Sequence, residues 1–337
     1  MNQFEIDEVI NSLTRINSDR KYWFVRTQAG DFYETFLENS YIAIGYDTIR
    51  LSIIKSANEN KHAKKALSEA IKKKFPEETR PGYIGNQLID FTYKIKQGDI
   101  VVIPSSGSSH ISIGEVKSTP VFEVTDPLSK KDCPFLKRKS IEWLKMHVPL
   151  KTLDSQLLRL KYTQRTVTLI PEDLTSYIDR NIVPLYVKDN NAHLALNVQK
   201  TDHLSAYNLF GAWADLLELA DEFGDSEGIE INKEDFDIRI NVQSPGTIEF
   251  ISYSIIGLVA LSVIVAAIIG AEFESNSKVL KFKFKTEGLL QRITKFLDKR
   301  QDRIMKMNLN EKLKQMDLKK DDVVQILKEL NEKGRFK

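Results

Sequence analysis

Two short stretches carry residue types at spacings that chemistry uses. In "GEVKS", Glu115 and Lys117 stand two positions apart, so a strand would present both on one face. Metal-dependent restriction cores place an acid and a lysine against the scissile phosphate in this way, together with a further acid on the preceding strand. Here the pair sits inside a β-hairpin pattern, which makes it a structural pair and not a nuclease centre. In "SSGSSH", serine hydroxyls adjoin His110, the types of a nucleophile and its base. Their Ser/Gly composition is that of a polar hairpin loop, and the loop reading is preferred. The five histidines show no metal-ligand spacing, and the single cysteine, Cys133, excludes an intramolecular disulfide or a site built from several thiolates. No catalytic residue, no metal and no cofactor is expected, and the chain is read as a binding protein, not an enzyme.

The 337 residues leave room for two or three domains, and 42% hydrophobic content supports a sizeable core. Net charge is only +2, from 49 basic and 47 acidic residues, so global balance argues neither for nor against nucleic acid. Local charge is more informative. Lysines crowd "KHAKKALSEAIKKKF" and "LSKKDCPFLKRKS", enough for a phosphate-binding face, or for a solvated helix surface. Between Asp221 and Glu249 nine acids meet two bases. The N-terminus is polar and mixed in charge, without the basic head and apolar run of a secretory signal, so residues 1–248 are expected in the cytosol.

The elements that must position these residues follow from periodicity. Ile6, Val9, Ile10 and Leu13 make a leading helix within 1–20. "RKYWFVRT" and "YIAIGYDT" read as strands, and the lysine-rich helix stops at Pro76. Leu88, Phe91 and Ile95 recur at helical spacing, and apolar runs at 100–103 and 111–116 flank the Ser/Gly loop as a hairpin. A strand is expected around Trp143 and a helix over 153–160. Residues 171–249 form a helical, acidic connector, and 272–337 a basic strand-helix tail in which "KVLKFKFKTEG" alternates at period two. The fold class is α+β.

From Phe250 to Ala271 there is no charge, and Glu249 and Glu272 close the ends. A helix of that length approaches the thickness of a bilayer's hydrocarbon core, about 30 Å. Residues 250–271 are therefore expected to be one transmembrane helix, the alternative being a buried core helix. Ser262, Ala266 and Gly270 share one face at intervals of four, a small-residue stripe through which copies of the helix would associate as a homo-oligomer.

The stretches "YWFVRTQAGDFYETFLENSYIAIGY", "IGNQLIDFTYKIKQGDIVVIPSSGSSHISIGEV" and "KRKSIEWL" resemble the module that precedes Mrr-type nuclease domains in bacterial restriction proteins, a relative of the PUA and EVE domains. The resemblance covers about residues 20–170, with Tyr46 standing where a tryptophan is more usual. It implies a mixed β-barrel with helices over 21–170 and a cleft for nucleic acid or a flipped base. In that cleft Trp23, Tyr46 and Trp143 would stack, Asn86 and Gln87 would read a base edge, and Arg26 and Ser105 would hold a phosphate. "NVQSPGTIEF" is similar to an entry sequence ahead of membrane segments in predicted bacterial defence proteins. Together the two imply an antiphage protein, cytoplasmic at its N-terminal module and anchored in the inner membrane, that senses nucleic acid or a modified base and perturbs the bilayer in abortive infection. Operon-encoded partner proteins would accompany it. Two alternatives stay open: a membrane effector triggered by a small nucleotide second messenger, and a membrane-tethered DNA-binding subunit that recruits a nuclease.

Overall fold

The computed structural model describes residues 3–117, 121–123, 131–200, 205–240, 246–270, 287–299, 303–319 and 322–326. They form two compact units, 19–178 and a second made of 1–18 with 179–337.

The 19–178 unit holds a seven-stranded sheet. β2 (Tyr22–Val25), β3 (Tyr41–Ile44), β4 (Ile100–Pro104), β5 (His110–Val116), β7 (Lys137–Pro149) and β8 (Val167–Leu169) run in the order β3-β7-β5-β4-β2-β8, and the short β6 (Phe122–Glu123) pairs with β7. β2 and β4 are parallel, and the other pairs are antiparallel. β7 is 13 residues long and serves two neighbours. Its 137–140 portion pairs with β3, while its later portion pairs with β5 through two register irregularities between Ile111 and Gly114. Such bulges bend a strand, and here they accompany the curl of the sheet into a half-barrel. Gly114 makes the bend possible: a Cβ there would stand 2.4 Å from Ile141 Cγ2 and 2.7 Å from the Trp143 ring.

Among the described residues, the α-helices of this unit include α2 (Tyr33–Glu38), α3 (Leu51–Glu59), α4 (Lys61–Lys74) and α5 (Pro81–Ile89). Asn60 caps α4 by accepting the His62 N–H at 2.8 Å, and Lys72, Lys73 and Lys74 complement the dipole at its C-terminal end. Phe36, Ile54, Leu67, Ile71, Leu88 and Phe91 are buried in one core with Trp23, Val101 and Val116 of the sheet.

In the second unit β1 (Thr14–Arg15), β9 (Leu185–Lys188), β10 (Asn191–Val198), β12 (Gly246–Ser252) and β11 (Phe236–Ile240) make a five-stranded sheet in that order. The N-terminal segment thus joins the C-terminal half: α1 (Gln3–Ser12) leads into β1, which pairs in parallel with β9. The stretch expected as a helical connector contains β9, β10, β11 and the start of β12, besides α6 (Thr175–Ile182) and α7 (Ala206–Glu227). Within the stretch expected as a basic strand-helix tail lie the helices α9 (Glu287–Lys299) and α10 (Arg303–Met316). The period-two stretch 278–285 lies outside the described residues.

The uncharged run corrects the membrane expectation. Phe250, Ile251 and Ser252 end β12, where Phe250 pairs with Leu194 and Ile238. Ser254 then caps a new helix by accepting the Gly257 N–H at 3.3 Å, and the described part of α8 (Ile255–Gly270) has 16 residues. That is about 24 Å of helix, short of a hydrocarbon core about 30 Å thick. No helix among the described residues is long and apolar enough to cross a membrane. α8 instead packs against α1, α7, α9, α10, β10 and β12. Ser262 and Ala266, expected to meet a second copy, are buried inside their own unit, and the Ser262 hydroxyl bonds back to the Val259 carbonyl at 2.7 Å. Gly270 is the last described residue of α8.

The opposite face of this sheet is polar and buried. Glu249 accepts from the Tyr186 hydroxyl at 3.3 Å, with His193 Nδ1 at 3.0 Å and Arg180 Nη1 at 3.5 Å. Burial would raise the Glu249 carboxyl, but the His193 hydrogen bond and the charges of Arg180, His193 and Arg239 outweigh it and hold the group below its ordinary 4.5. Stability from this depressed carboxyl is present above pH 4.5 and is lost as pH falls through the lower folded value.

Since Ile264 is wholly buried among protein side chains, Ile264→Ala should cost about 2–5 kcal/mol in urea unfolding without detergent or lipid. A lipid-facing side chain would show almost no cost under the same conditions.

Candidate nucleic-acid interface

Asp99, just before β4, organises one end of the half-barrel. Its carboxylate accepts the Lys21 N–H at 3.1 Å, the Lys96 N–H at 2.8 Å and the Trp23 indole N–H at 2.9 Å. Trp23 is 2% exposed and lies in the core with its one polar atom satisfied. An indole held in this way has no face free for a base.

A row of half-buried aromatics lies elsewhere on the same unit. Trp143 donates its indole N–H to the Phe36 carbonyl at 3.2 Å. Phe32 stacks on Phe36 and meets Phe135 edge-on at 5.0 Å, and Phe135 closes over Gly45 at 3.2 Å from where a Cβ would sit. Next to Gly45, Tyr46 adopts φ 62° and sets its ring edge-on to Phe75. Its hydroxyl donates to Glu78 Oε1 at 2.6 Å, and burial together with that carboxylate holds the phenol above its ordinary 10. Aromatics of this kind, partly open and fixed by neighbours, offer ring faces at little entropic cost.

Between α4 and α5 the surface opens into a cleft of about 240 Å³, lined by Lys64, Lys65, Leu67, Ser68, Gly82, Gly85, Asn86 and Ile89. Gly85 lets the helices approach closely, because its Cβ would touch Leu67 at 3.2 Å. Lys64, Lys65 and Asn86 are exposed, and none makes a side-chain hydrogen bond or ion pair with another described residue. At the start of α5, Arg80 is exposed and the Arg165 guanidinium lies 5.3 Å from the Tyr83 ring centroid. Free cations, a carboxamide that both donates and accepts, and a ring beside an arginine meet the needs of a nucleic acid: phosphate neutralisation, edge reading and stacking.

The seven expected ligand residues therefore fall in different places. Asn86 lines the cleft, and Tyr46 and Trp143 belong to the aromatic row. Gln87 is buried and accepts the Val167 N–H at 3.1 Å, which ties α5 to β8. Arg26 donates to the Thr163 and Lys161 carbonyls. Ser105 accepts the His110 N–H at 2.9 Å within its own turn. Ser109 Oγ stands 3.1 Å from His110 Nδ1, yet no acid among the described residues orients the imidazole. Lys117 is clamped between Glu115 at 2.8 Å and Glu142 at 2.6 Å. Phe32, Phe135 and Tyr83 were not anticipated. The i, i+4 spacing of Phe32 and Phe36 was visible, but Phe135 reaches them only through the folding of β7 onto β3.

Residues 21–171 match the model of a family described as a domain of unknown function, DUF8426. No curated protein matches the chain. Among solved structures, a YTH domain of the Zygosaccharomyces rouxii MRB1 protein, crystallised with N6-methyladenosine RNA, is similar at 12% identity. The match covers 50% of this chain and 87% of that one, with a TM-score of 0.29.

One buried cation stands apart from the cleft. Lys139 on β7 is fully buried, and its Nζ has no hydrogen-bond partner among the described residues. Desolvation pushes it down from 10.5 to about 8, against a smaller opposing pull from Asp99. Because the folded value lies below the unfolded one, the penalty is complete below pH 8 and is relieved as pH rises toward 10.5. Lys139→Met should raise stability at pH 7 by up to about 3 kcal/mol. The gain should shrink between pH 8 and 10.5 in chemical denaturation series of the two proteins.

Proposed function

We propose that this chain binds nucleic acid through its 19–178 unit, with the α4/α5 cleft holding the phosphate backbone and partly open aromatic residues of the same unit receiving bases. The observation that carries this reading is the convergence of Lys64, Lys65 and the Asn86 carboxamide on one cleft without internal partners. Lysines left free of ion pairs keep their full charge for an external anion, and the resulting affinity falls steeply with salt. An open cleft flanked by cations suits a polymer better than the closed pocket a small nucleotide messenger requires. The role in antiphage defence rests on the resemblance of residues 20–170 to the modules that precede Mrr-type nucleases. In that role the unit serves as the reader, and the second unit couples reading to a response. Bilayer perturbation is not carried forward, because the apolar helix is covered by its own unit.

Binding of fluorescently labelled single- and double-stranded RNA and DNA, followed by anisotropy over a salt series, tests the reading. Lys64→Ala with Lys65→Ala should weaken binding about tenfold or more at low salt and reduce the salt slope by roughly two phosphate contacts. Asn86→Ala should lower discrimination between bases and leave the salt slope unchanged. Unaltered affinity in the double lysine variant would remove the cleft from the interface.

A further inference from the structure

β11 is the edge of the second unit's sheet, and among the described residues it pairs only with β12. Its sequence is Phe236-Asp237-Ile238-Arg239-Ile240. The register with β12 sets Ile238 opposite Phe250, so Phe236, Ile238 and Ile240 share the face that packs on the core. Asp237 and Arg239 point to the other face. Despite its core-facing position, Ile238 is 41% exposed, and Asp237 and Arg239 are exposed too. Asp237 forms no hydrogen bond or ion pair with another described residue, and Arg239, which lies across from Glu249 in the β12 register and acts on its carboxyl through charge, forms no hydrogen bond. Edge strands are usually guarded against pairing by proline, by a bulge, by charged side chains or by covering with a helix or loop. β11 has no proline and no bulge against β12, and it carries one charge of each sign, placed symmetrically about Ile238.

We propose that β11 pairs with β11 of a second copy of this chain, antiparallel about a twofold axis at Ile238. That register sets Asp237 across from Arg239 of the other copy, twice over, and continues the Phe236, Ile238, Ile240 row as one apolar stripe through a ten-stranded sheet. Parallel pairing in register would instead oppose Asp237 to Asp237 and Arg239 to Arg239, a like-charge arrangement that is destabilising. Charge pattern thus selects both the partner and the direction, and the twofold symmetry closes the assembly at a dimer. The proposal does not depend on the nucleic-acid reading of the other unit.

Sedimentation velocity of the full chain over a concentration series is the test, with circular dichroism to establish that each variant is folded. The wild-type chain should show a reversible monomer–dimer equilibrium. Asp237→Arg and Arg239→Asp, each alone, set like charges across the axis and should weaken dimerisation by about tenfold or more. Mixed in equal amounts, the two variants regain opposite charges at both positions and should form a heterodimer. Ile238→Lys, which brings two ammonium groups together at the axis, should be monomeric. A wild-type chain that stays monomeric, single variants that dimerise like wild type, or folded variants that fail to assemble when mixed would each overturn the proposal.

Discussion

A helix without a polar face has to be covered on all sides, and the second unit is arranged around that requirement. From Ile255 to Gly270 no side chain can face water without cost except Ser262, whose hydroxyl is satisfied within the helix. One side of α8 rests on the sheet through β10 and β12, and the rest is closed by α1, α7, α9 and α10. The amphipathic stripes of those helices, among them Leu289, Ile293 and Leu297 of α9 and Leu309, Leu313 and Met316 of α10, supply the complementary surfaces. Their helical spacing makes sense only against such a central partner. The enrolment of the N-terminal segment follows from the same need, since Val9 and Leu13 complete the cover.

Burying one face of the sheet against α8 leaves the other to polar residues that must satisfy one another. Tyr186, His193 and Glu249 lie on three adjacent strands, and Tyr186 and His193 stack with ring centroids 4.6 Å apart. Arg180 completes the set from α6, while Asp179 beside it pairs with Lys188 at 2.8 Å. A buried carboxylate is tolerable only with such compensation. The same Glu249 would have marked the water-facing boundary of a membrane span. Here it is 1% exposed.

In the 19–178 unit the corresponding fixed point is Asp99. One carboxylate gathers the chain entering β2, the segment after α5 and the Trp23 ring, and it does so at the root of the parallel β2–β4 pair. With Trp23, Gln87 and Arg26 committed to internal bonds, the groups the scaffold leaves without internal partners in the α4/α5 cleft are Lys64, Lys65 and Asn86. The residues that could be singled out by type are, for the most part, the ones that build the frame.

The sequence by itself determined a good deal: an α+β chain, the strands at Trp23, Tyr41 and Ile100, the hairpin around the Ser/Gly loop, and the lysine-rich helix ending before Pro76. Each of these rests on local periodicity and turn chemistry, which short-range sterics enforce. Only the tertiary structure decided the rest. An uncharged run of 22 residues satisfies a bilayer and a protein core equally well, because both are apolar solvents. What distinguishes them is the break at Ser252–Ser254 and the surrounding helices, and only the second is decisive. Likewise, whether a tryptophan, glutamine or arginine serves a ligand or the frame depends on which carbonyl or carboxylate lies beside it. Those partners come from 76, 80 and 137 positions away, a separation that no local pattern encodes.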